Sequence, residues 1–175
     1  MAYTHYWSVP ITHPDYRAAW PRLVGDTARI IDAVRRHGIV IAGPHGFGRP
    51  ILNPACDIAF NGDATSDLDG DTFVLPAPPP AAEPTPWLAN FCKTSRKPYD
   101  AAVTAVLLRA RLLLPEVFIL SSDGTWNRQW RLGARLPGGR RRAPATRTLV
   151  TDLFGPIPQA DPLTRVDPHA WRAGP

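Results

Sequence analysis

The chain has 175 residues, of which 44% are hydrophobic, so one domain with a sizeable core is expected and wholesale disorder is excluded. No apolar run approaches the roughly 18 residues that a membrane span needs, and the first residues lack the basic-then-apolar layout of a signal peptide, which favours a cytoplasmic protein. The net charge of +5 is uneven, because residues 1–100 carry 9 Lys and Arg against 10 Asp and Glu, whereas residues 101–175 carry 11 against 5.

The N-terminal part of the chain predicts one strand and one helix. Residues 1–15 are rich in aromatic anchors and favour a short strand or extended arm. Apolar side chains recur at helical spacing across residues 15–37, and Gly38 supplies the C-terminal stop. Proline is tolerated only in the first turn of a helix, so Pro21 indicates that the regular helix begins near Trp20.

The next segment predicts short strands joined by turns. Residues 39–42 and 51–52 indicate a hairpin, and its glycine-rich turn is not a phosphate-binding loop because neither Gly-Lys-Ser/Thr nor a helix follows. Residues 58–60 predict a strand that ends at Asn61-Gly62, and residues 72–75 return as the next strand. The aspartates in between lack the glycine and glutamate of an EF-hand calcium loop, so they favour a solvated loop.

The remaining chain predicts alternating strands and helices. Residues 76–86 indicate a polyproline II connector. Residues 87–92 then predict a strand, and residues 101–114 predict a helix that is apolar almost all round and therefore buried on most sides. Further along, we predict a strand at 117–121, a helix carrying Trp126 and Trp130, a flexible Gly/Arg-rich loop at 137–145, a last helix at 146–154 and an extended tail at 156–175.

The basic turn, residues 93–97, presents a conflict of charge at the start of the second helix. Pro98 and Asp100 suit a first helical turn, since proline needs no donor there and a carboxylate favours the positive end of the helix dipole. Three cations crowd the same end and oppose that dipole: Lys93, Arg96 and Lys97. Two interpretations stay open. Either an anion such as phosphate is clamped by the cations and the N–H groups, or the cations pair with carboxylates of the acidic loop at residues 63–71, which carries Asp63, Asp67, Asp69 and Asp71.

Asp123 is the second candidate functional residue. The strand at 117–121 ends in small polar residues, and such strand ends border ligand sites where a sheet is partly parallel. The alternative is a turn or N-cap aspartate before the helix that carries Trp126. The candidate ligand-binding residues are therefore Lys93, Thr94, Arg96, Lys97, Tyr99, Asp100, Asn61, Asp71 and Asp123.

Four strings along the chain resemble those of a family of small proteins from phages, prophages and actinobacterial genomes. They are Phe60-Asn61-Gly62, Asp71-Thr72-Phe73, the run from Phe91 to Asp100, and Ser122-Asp123-Gly124-Thr125-Trp126. The resemblance covers residues 3–155, and Cys-Lys-Thr-x-Arg-Lys-Pro-Tyr-Asp is its most specific part. Members of that family often have His-Glu where this chain has Gly70-Asp71, which weakens any role that requires a histidine there. They also lack the Gly/Arg-rich loop, which argues against that loop being the active element. The resemblance implies a phage-type context, hence a host cytoplasm, but no activity.

The whole pattern predicts a mixed α/β (α+β) single domain over residues 1–155, with a central sheet of about five strands and about three helices. For function, we expect a small anionic, nucleotide-like ligand at the basic helix N-terminus, such as a host immune nucleotide signal that a phage protein sequesters. One alternative is an enzyme acting on a nucleotide or phosphorylated substrate, with Asp71 or Asp123 as general base or metal ligand. Another is a nucleic-acid or host-protein binding module that uses the basic C-terminal half.

The sequence indicates no cofactor and no resident metal, since Cys56 and Cys92 have no metal-ligand spacing and fit a reducing compartment. No membrane partner is expected either. The pattern leaves a homo-oligomer open.

Overall fold

Three α-helices and five strands build the fold in the computed structural model, which describes residues 3–80 and 88–164. Two single turns of 3-10 helix, Pro44–Gly46 and Ala64–Ser66, lie in the connections. The elements run in the order β1 (Thr4–Val9), α1 (Pro14–Arg36), β2 (Ile58–Phe60), β3 (Phe73–Leu75), β4 (Leu88–Lys93), α2 (Asp100–Leu113), β5 (Ile119–Ser122) and α3 (Thr146–Phe154).

The larger sheet has three antiparallel strands in the order β4-β1-β5. Strand β1 is central: Thr4 lies opposite Lys93 of β4, and His5 lies opposite Ser122 of β5. Because side chains alternate along a strand, His5, Trp7 and Val9 share one face of the sheet, and all three are fully buried. Because β1 and β5 are antiparallel, the residues that follow β5 lie beside the N-terminal end of β1.

The five strands do not form one central sheet, so that prediction is not confirmed. Strands β2 and β3 make a separate antiparallel pair, flanked by single bridges from Ala42 to Asn61 and from Ile51 to Ala59. The prediction that residues 39–42 and 51–52 pair with each other is therefore wrong, since both lie beside β2. Pro76 follows β3 directly, and proline cannot donate to a ladder, so β3 ends at Leu75.

The helices form the apolar body of the protein. Every residue of α2 from Asp100 to Ala110 is buried, and both α1 and α3 pack against this helix. Helix α1 begins at Pro14, earlier than predicted, with Pro21 inside it. An internal proline removes one hydrogen bond, but the first turns are held by the buried side chains of Tyr16 and Trp20, which donate to the carbonyl groups of Pro76 (2.6 Å) and Pro54 (2.8 Å).

The segment between β5 and α3 is irregular. The predicted helix carrying Trp126 and Trp130 is a series of turns instead, with both rings buried and 6.3 Å apart. The Gly/Arg-rich segment forms a hydrogen-bonded hairpin, in which Ala143 N donates to Ala134 O at 2.8 Å. Helix α3 follows where it was predicted, and Gly155, at a φ of 93°, ends it.

Part of the predicted proline-rich connector, residues 81–86, and of the predicted tail, residues 165–175, lies outside the described residues. Among the residues that are described, no helix combines the length and the apolar character that a membrane crossing requires.

Candidate functional site

The basic turn has an uncommon backbone. Ser95 and Arg96 both have positive φ, 51° and 57°, and Lys97 N donates to Thr94 O at 3.0 Å, which makes a type I′ turn without glycine. Each such residue costs of order 1 kcal/mol, so neighbouring structure must hold the turn. The carbonyl of Tyr3 does so, because it accepts from the N–H groups of Thr94 and Ser95 at 3.0 and 3.1 Å. Arg96 lies over the Tyr3 ring, 5.2 Å from its centroid.

The start of α2 uses its own backbone donors. The N–H groups of residues 100–103 donate to the carbonyl groups of residues 97–99 at 2.9–3.3 Å. Lys97 Nζ lies 3.3 Å from Asp67 Oδ1 in the acidic loop, as the second interpretation of the basic turn expects. The side chain of Lys93 is exposed, and its backbone N–H donates to Asp71 Oδ2 at 2.9 Å.

Asp100 anchors a buried hydrogen-bond network. Its Oδ1 atom accepts from Thr94 Oγ1 at 2.5 Å and contacts His5 Nε2 at 2.7 Å. The other ring nitrogen, His5 Nδ1, lies 2.9 Å from Ser122 Oγ. Since a carboxylate only accepts, we assign the proton to Nε2, and Nδ1 then accepts from the Ser122 hydroxyl. The network joins β1, β5 and α2.

The contacts run from Ser122 to His5 to Asp100, as in the Ser-His-Asp triad of nucleophilic catalysis. The hydroxyl oxygen of Ser122, however, already uses all of its hydrogen-bonding capacity. Ser122 Oγ also accepts from Gly124 N at 2.9 Å and from Trp130 Nε1 at 3.3 Å. With its hydrogen on His5, both lone pairs of Ser122 Oγ are used, and none remains for attack on a substrate. The geometry therefore supports a positioning role for this network.

Sequence reasoning missed His5. The signal was available, because His5 has the same parity along β1 as Trp7 and Val9 and so faces the core. A histidine at such a position must find partners for both ring nitrogens, and it does.

Asn61, Asp71 and Tyr99 join the acidic loop to the start of α2. Asn61 Oδ1 accepts from the N–H groups of Gly62 and Gly70, and Nδ2 donates to Gly70 O, all within 3.0 Å. Tyr99 OH donates to the backbone carbonyl of Asp71 at 2.9 Å. Burial, and then the neighbouring Cys92, raise the pKa of Tyr99 above the ordinary tyrosine value. These polar groups bind other parts of the chain.

Asp123 lies beside Thr4, at the N-terminal end of β1. Its Oδ2 atom accepts from Thr4 N at 2.9 Å, and its own N–H donates to Thr4 O at 3.0 Å. The sheet is antiparallel at this point, so the parallel-sheet argument for Asp123 does not apply, although the residue does lie near the basic turn through Tyr3 and Thr4. Within residues 3–80 and 88–164, no three His, Cys, Asp or Glu side chains form a group that could hold a metal ion.

The predicted residues thus fall into two groups. Thr94, Arg96, Asp100 and Asp123 surround the first residues of β1. Asn61, Asp71, Lys93, Lys97 and Tyr99 connect the acidic loop to β4 and to the start of α2.

A cleft of about 440 Å³ opens beside Pro98 and Tyr99. Its walls come from the segment after α1, the acidic loop, the start of α2 and the tip of the Gly/Arg-rich hairpin. Apolar groups are prominent in the lining, among them Val40, which is 57% exposed, and Leu136. Arg140 and Arg141 also line the cleft, and Arg141 Nη2 donates to His37 O at 3.3 Å, which ties the hairpin to the end of α1.

Asp63 contributes a carboxylate to the same cleft. The hydroxyl groups of Ser66 and Thr65 both donate to it at 2.6 Å, and Thr65 N donates at 3.0 Å. These bonds, that of Ser66 first, lower the pKa of Asp63 below the ordinary aspartate value. The cleft therefore combines two guanidinium groups, an ionised carboxylate and apolar surface.

Comparison of the chain with protein-family models, with curated proteins and with solved structures finds no match. The function of the chain must therefore be inferred from its own geometry.

Proposed function

We propose that this protein binds a small phosphorylated, nucleotide-like molecule in the cleft beside the start of α2. The observation that carries the proposal is the combination of Arg140 and Arg141 with apolar lining in one concavity of about 440 Å³. That volume lies in the range of about 300–1,000 Å³ that is usual for small-molecule sites. Such sites are largely apolar, with a few polar groups that fix the orientation of the ligand.

The polar groups suggest how a nucleotide would lie. Arginine binds phosphate oxygens through a planar fork of donors, so Arg140 and Arg141 suit the phosphate. Val40, Leu136 and Pro98 offer apolar surface for the base. Asp63, as an ionised acceptor, repels phosphate but accepts from a ribose hydroxyl or a base amino group. A phosphate at the hairpin and a sugar or base near Asp63 is the orientation that satisfies all three kinds of lining.

This site differs from the one expected at the basic turn. Lys93 and Arg96 do not line the cleft, and Lys97 adjoins it only through Pro98. The proposed site also includes the Gly/Arg-rich hairpin, against the expectation drawn from the resemblance. We propose that the ligand is bound without turnover.

Native mass spectrometry of the purified protein, followed by calorimetric titration with adenosine 5′-monophosphate, adenosine and inorganic phosphate, tests the proposal. We expect the monophosphate to bind tighter than adenosine or phosphate alone and to be recovered intact. The double variant Arg140→Gln/Arg141→Gln should weaken its binding at least about tenfold, since each charge-assisted hydrogen bond contributes about 1.5–3 kcal/mol.

A matched control is Arg128→Gln/Arg131→Gln, which removes the same charge from exposed positions outside the cleft lining. Equal weakening by the two variants would show that net charge, and not the cleft, governs binding. Absence of any binding would refute the proposal, and recovery of a cleaved ligand would replace binding with catalysis.

A further inference from the structure

The segment 124–151 has an unbalanced charge. It contains seven arginines and neither Asp, Glu nor Lys. Six of the seven are exposed, and Arg147 is half-buried. The seven are Arg128, Arg131, Arg135, Arg140, Arg141, Arg142 and Arg147, and together we call them the arginine segment.

Some cations of this protein have acidic partners, whereas the arginine segment has none in the part of the chain that the structure describes. Elsewhere Arg22, Arg29 and Arg109 all lie near Asp26, and Lys97 lies near Asp67. Within the described ranges, no member of the arginine segment forms an ion pair with an acidic side chain. Neighbouring like charges, such as those of the consecutive Arg140, Arg141 and Arg142, repel one another, and a bound polyanion relieves that repulsion while releasing its own counterions.

Backbone and side-chain hydrogen bonds hold several of these arginines in place. Arg135 and Arg142 face each other in an antiparallel bridge, and Leu136 N donates to Arg141 O at 2.9 Å. Arg142 Nη1 donates to Gly133 O at 2.8 Å. At the other end of the segment, Arg147 lies over the Trp126 ring, 4.4 Å from its centroid. A surface that is already ordered loses less conformational entropy when a ligand binds.

We infer that the natural ligand is a single strand of nucleic acid, with one base in the cleft and neighbouring phosphates along the arginine segment. The inference rests on the proposed function, because Arg140 and Arg141 belong both to the cleft and to the segment. In this arrangement a mononucleotide occupies only the cleft, whereas a strand extends along the arginine segment to members that do not line the cleft, such as Arg128 and Arg131. A duplex keeps its bases stacked, so it cannot place one in the apolar cleft, and single strands with splayed bases fit the site.

Fluorescence anisotropy with a labelled 12-nucleotide single strand, DNA or RNA, and with the matching duplex tests this inference. We expect the single strand to bind at least about tenfold tighter than adenosine 5′-monophosphate at 50 mM NaCl, and tighter than the duplex. Each phosphate contact contributes about −0.7 to the slope of log K against log salt for single strands. Three or four contacts therefore predict a slope of about −2 to −3.

The variant Arg128→Gln/Arg131→Gln separates this inference from the proposed function. It should reduce the salt slope by about 1.4 and weaken strand binding several-fold, while leaving the affinity for adenosine 5′-monophosphate unchanged. Arg22→Gln/Arg49→Gln, with the same change of charge elsewhere, should alter strand binding much less. Circular dichroism and thermal melting confirm that each variant is folded.

The outcomes are distinct. A monophosphate that binds as tightly as the strand overturns the inference and leaves the proposed function standing. A duplex that binds as tightly as the single strand also overturns it. So does an equal loss of strand affinity in Arg128→Gln/Arg131→Gln and in Arg22→Gln/Arg49→Gln. Absence of binding by every probe overturns both proposals.

Discussion

The buried ion pair between α1 and α2 allows a quantitative test of the packing. Arg109 Nε lies 2.7 Å from Asp26 Oδ2, and both side chains are only 10% exposed. The two partners are not equivalent. Asp26 also has Arg22 and Arg29 at 3.8 Å, whereas Arg109 has the Phe154 ring, 4.3 Å from its guanidinium carbon.

Removing the carboxylate should therefore cost more than removing the guanidinium. Asp26→Ala leaves Arg109 buried without an anion, and breaking a buried pair in this way costs about 3–5 kcal/mol. Arg109→Met leaves Asp26 with its two surface arginines, so we expect a smaller loss of about 1–3 kcal/mol. For a domain of this size, about 1 kcal/mol shifts the melting temperature by about 2–4 °C, so Asp26→Ala should lower it by about 6–20 °C.

The double variant Asp26→Leu/Arg109→Met removes both charges. It replaces the pair by apolar groups and should lie within about 2 kcal/mol of the wild-type free energy of unfolding, because the cost of desolvating both charges disappears. Urea unfolding followed by far-ultraviolet circular dichroism at pH 7 measures all four proteins. If Asp26→Ala loses less than about 1 kcal/mol, or less than Arg109→Met, the pair is not the buried, asymmetric contact inferred from these distances.

Three further predictions concern Ser95 in the basic turn and the buried side chains of Cys92 and Tyr99. Because Ser95 has a φ of 51°, Ser95→Asn should raise the free energy of unfolding by about 0.5 kcal/mol and Ser95→Val should lower it by about 1–2 kcal/mol, as urea unfolding will show. Burial raises the pKa of Cys92 to about 12, so a thiol reagent at pH 8 should label the exposed Cys56 in the native protein and Cys92 only after unfolding; equal labelling rates would contradict the burial. Since the pKa values of Cys92 and Tyr99 are both raised in the native state, stability should be intact below about pH 9 and fall above it, by up to about 1.4 kcal/mol per pH unit for each group. Urea midpoints from pH 8 to pH 11 will measure this decline, which should be shallower in Tyr99→Phe.

Helix α3 and the buried α2 could be predicted because their signals are local. Apolar spacing and a terminal Gly155 define α3, and an apolar surface on all sides defines α2. The start of α1 could not be predicted from the sequence. The helical hydrogen bond that Pro21 removes is offset by the burial of Tyr16 and Trp20, whose side chains donate to distant carbonyl groups. Strand pairing is equally non-local, so five strand-like stretches do not reveal that they divide between two sheets.

The candidate site shows the same limit. Local charge singled out the basic turn, but its link to Asp123 depends on β1 lying between β4 and β5. The cleft is further from prediction, since four separate segments line it and none of them is distinctive alone. Arginine composition was visible in the sequence, whereas the hairpin that brings Arg140 and Arg141 to the cleft depends on hydrogen bonds that no periodicity reports.

The central position of β1 has a consequence for the order of synthesis. This strand leaves the ribosome before either of its neighbours, and the second of them ends only at Ser122. Until β4 has been made, Trp7 and Val9, which are fully buried in the finished protein, have no partner strand. Between the synthesis of β1 and that of β4, the nascent chain therefore carries an unpaired strand with apolar side chains, a state prone to aggregation. Slower synthesis should prolong that exposure, and a chaperone that binds the emerging amino-terminal segment should raise the yield of folded protein.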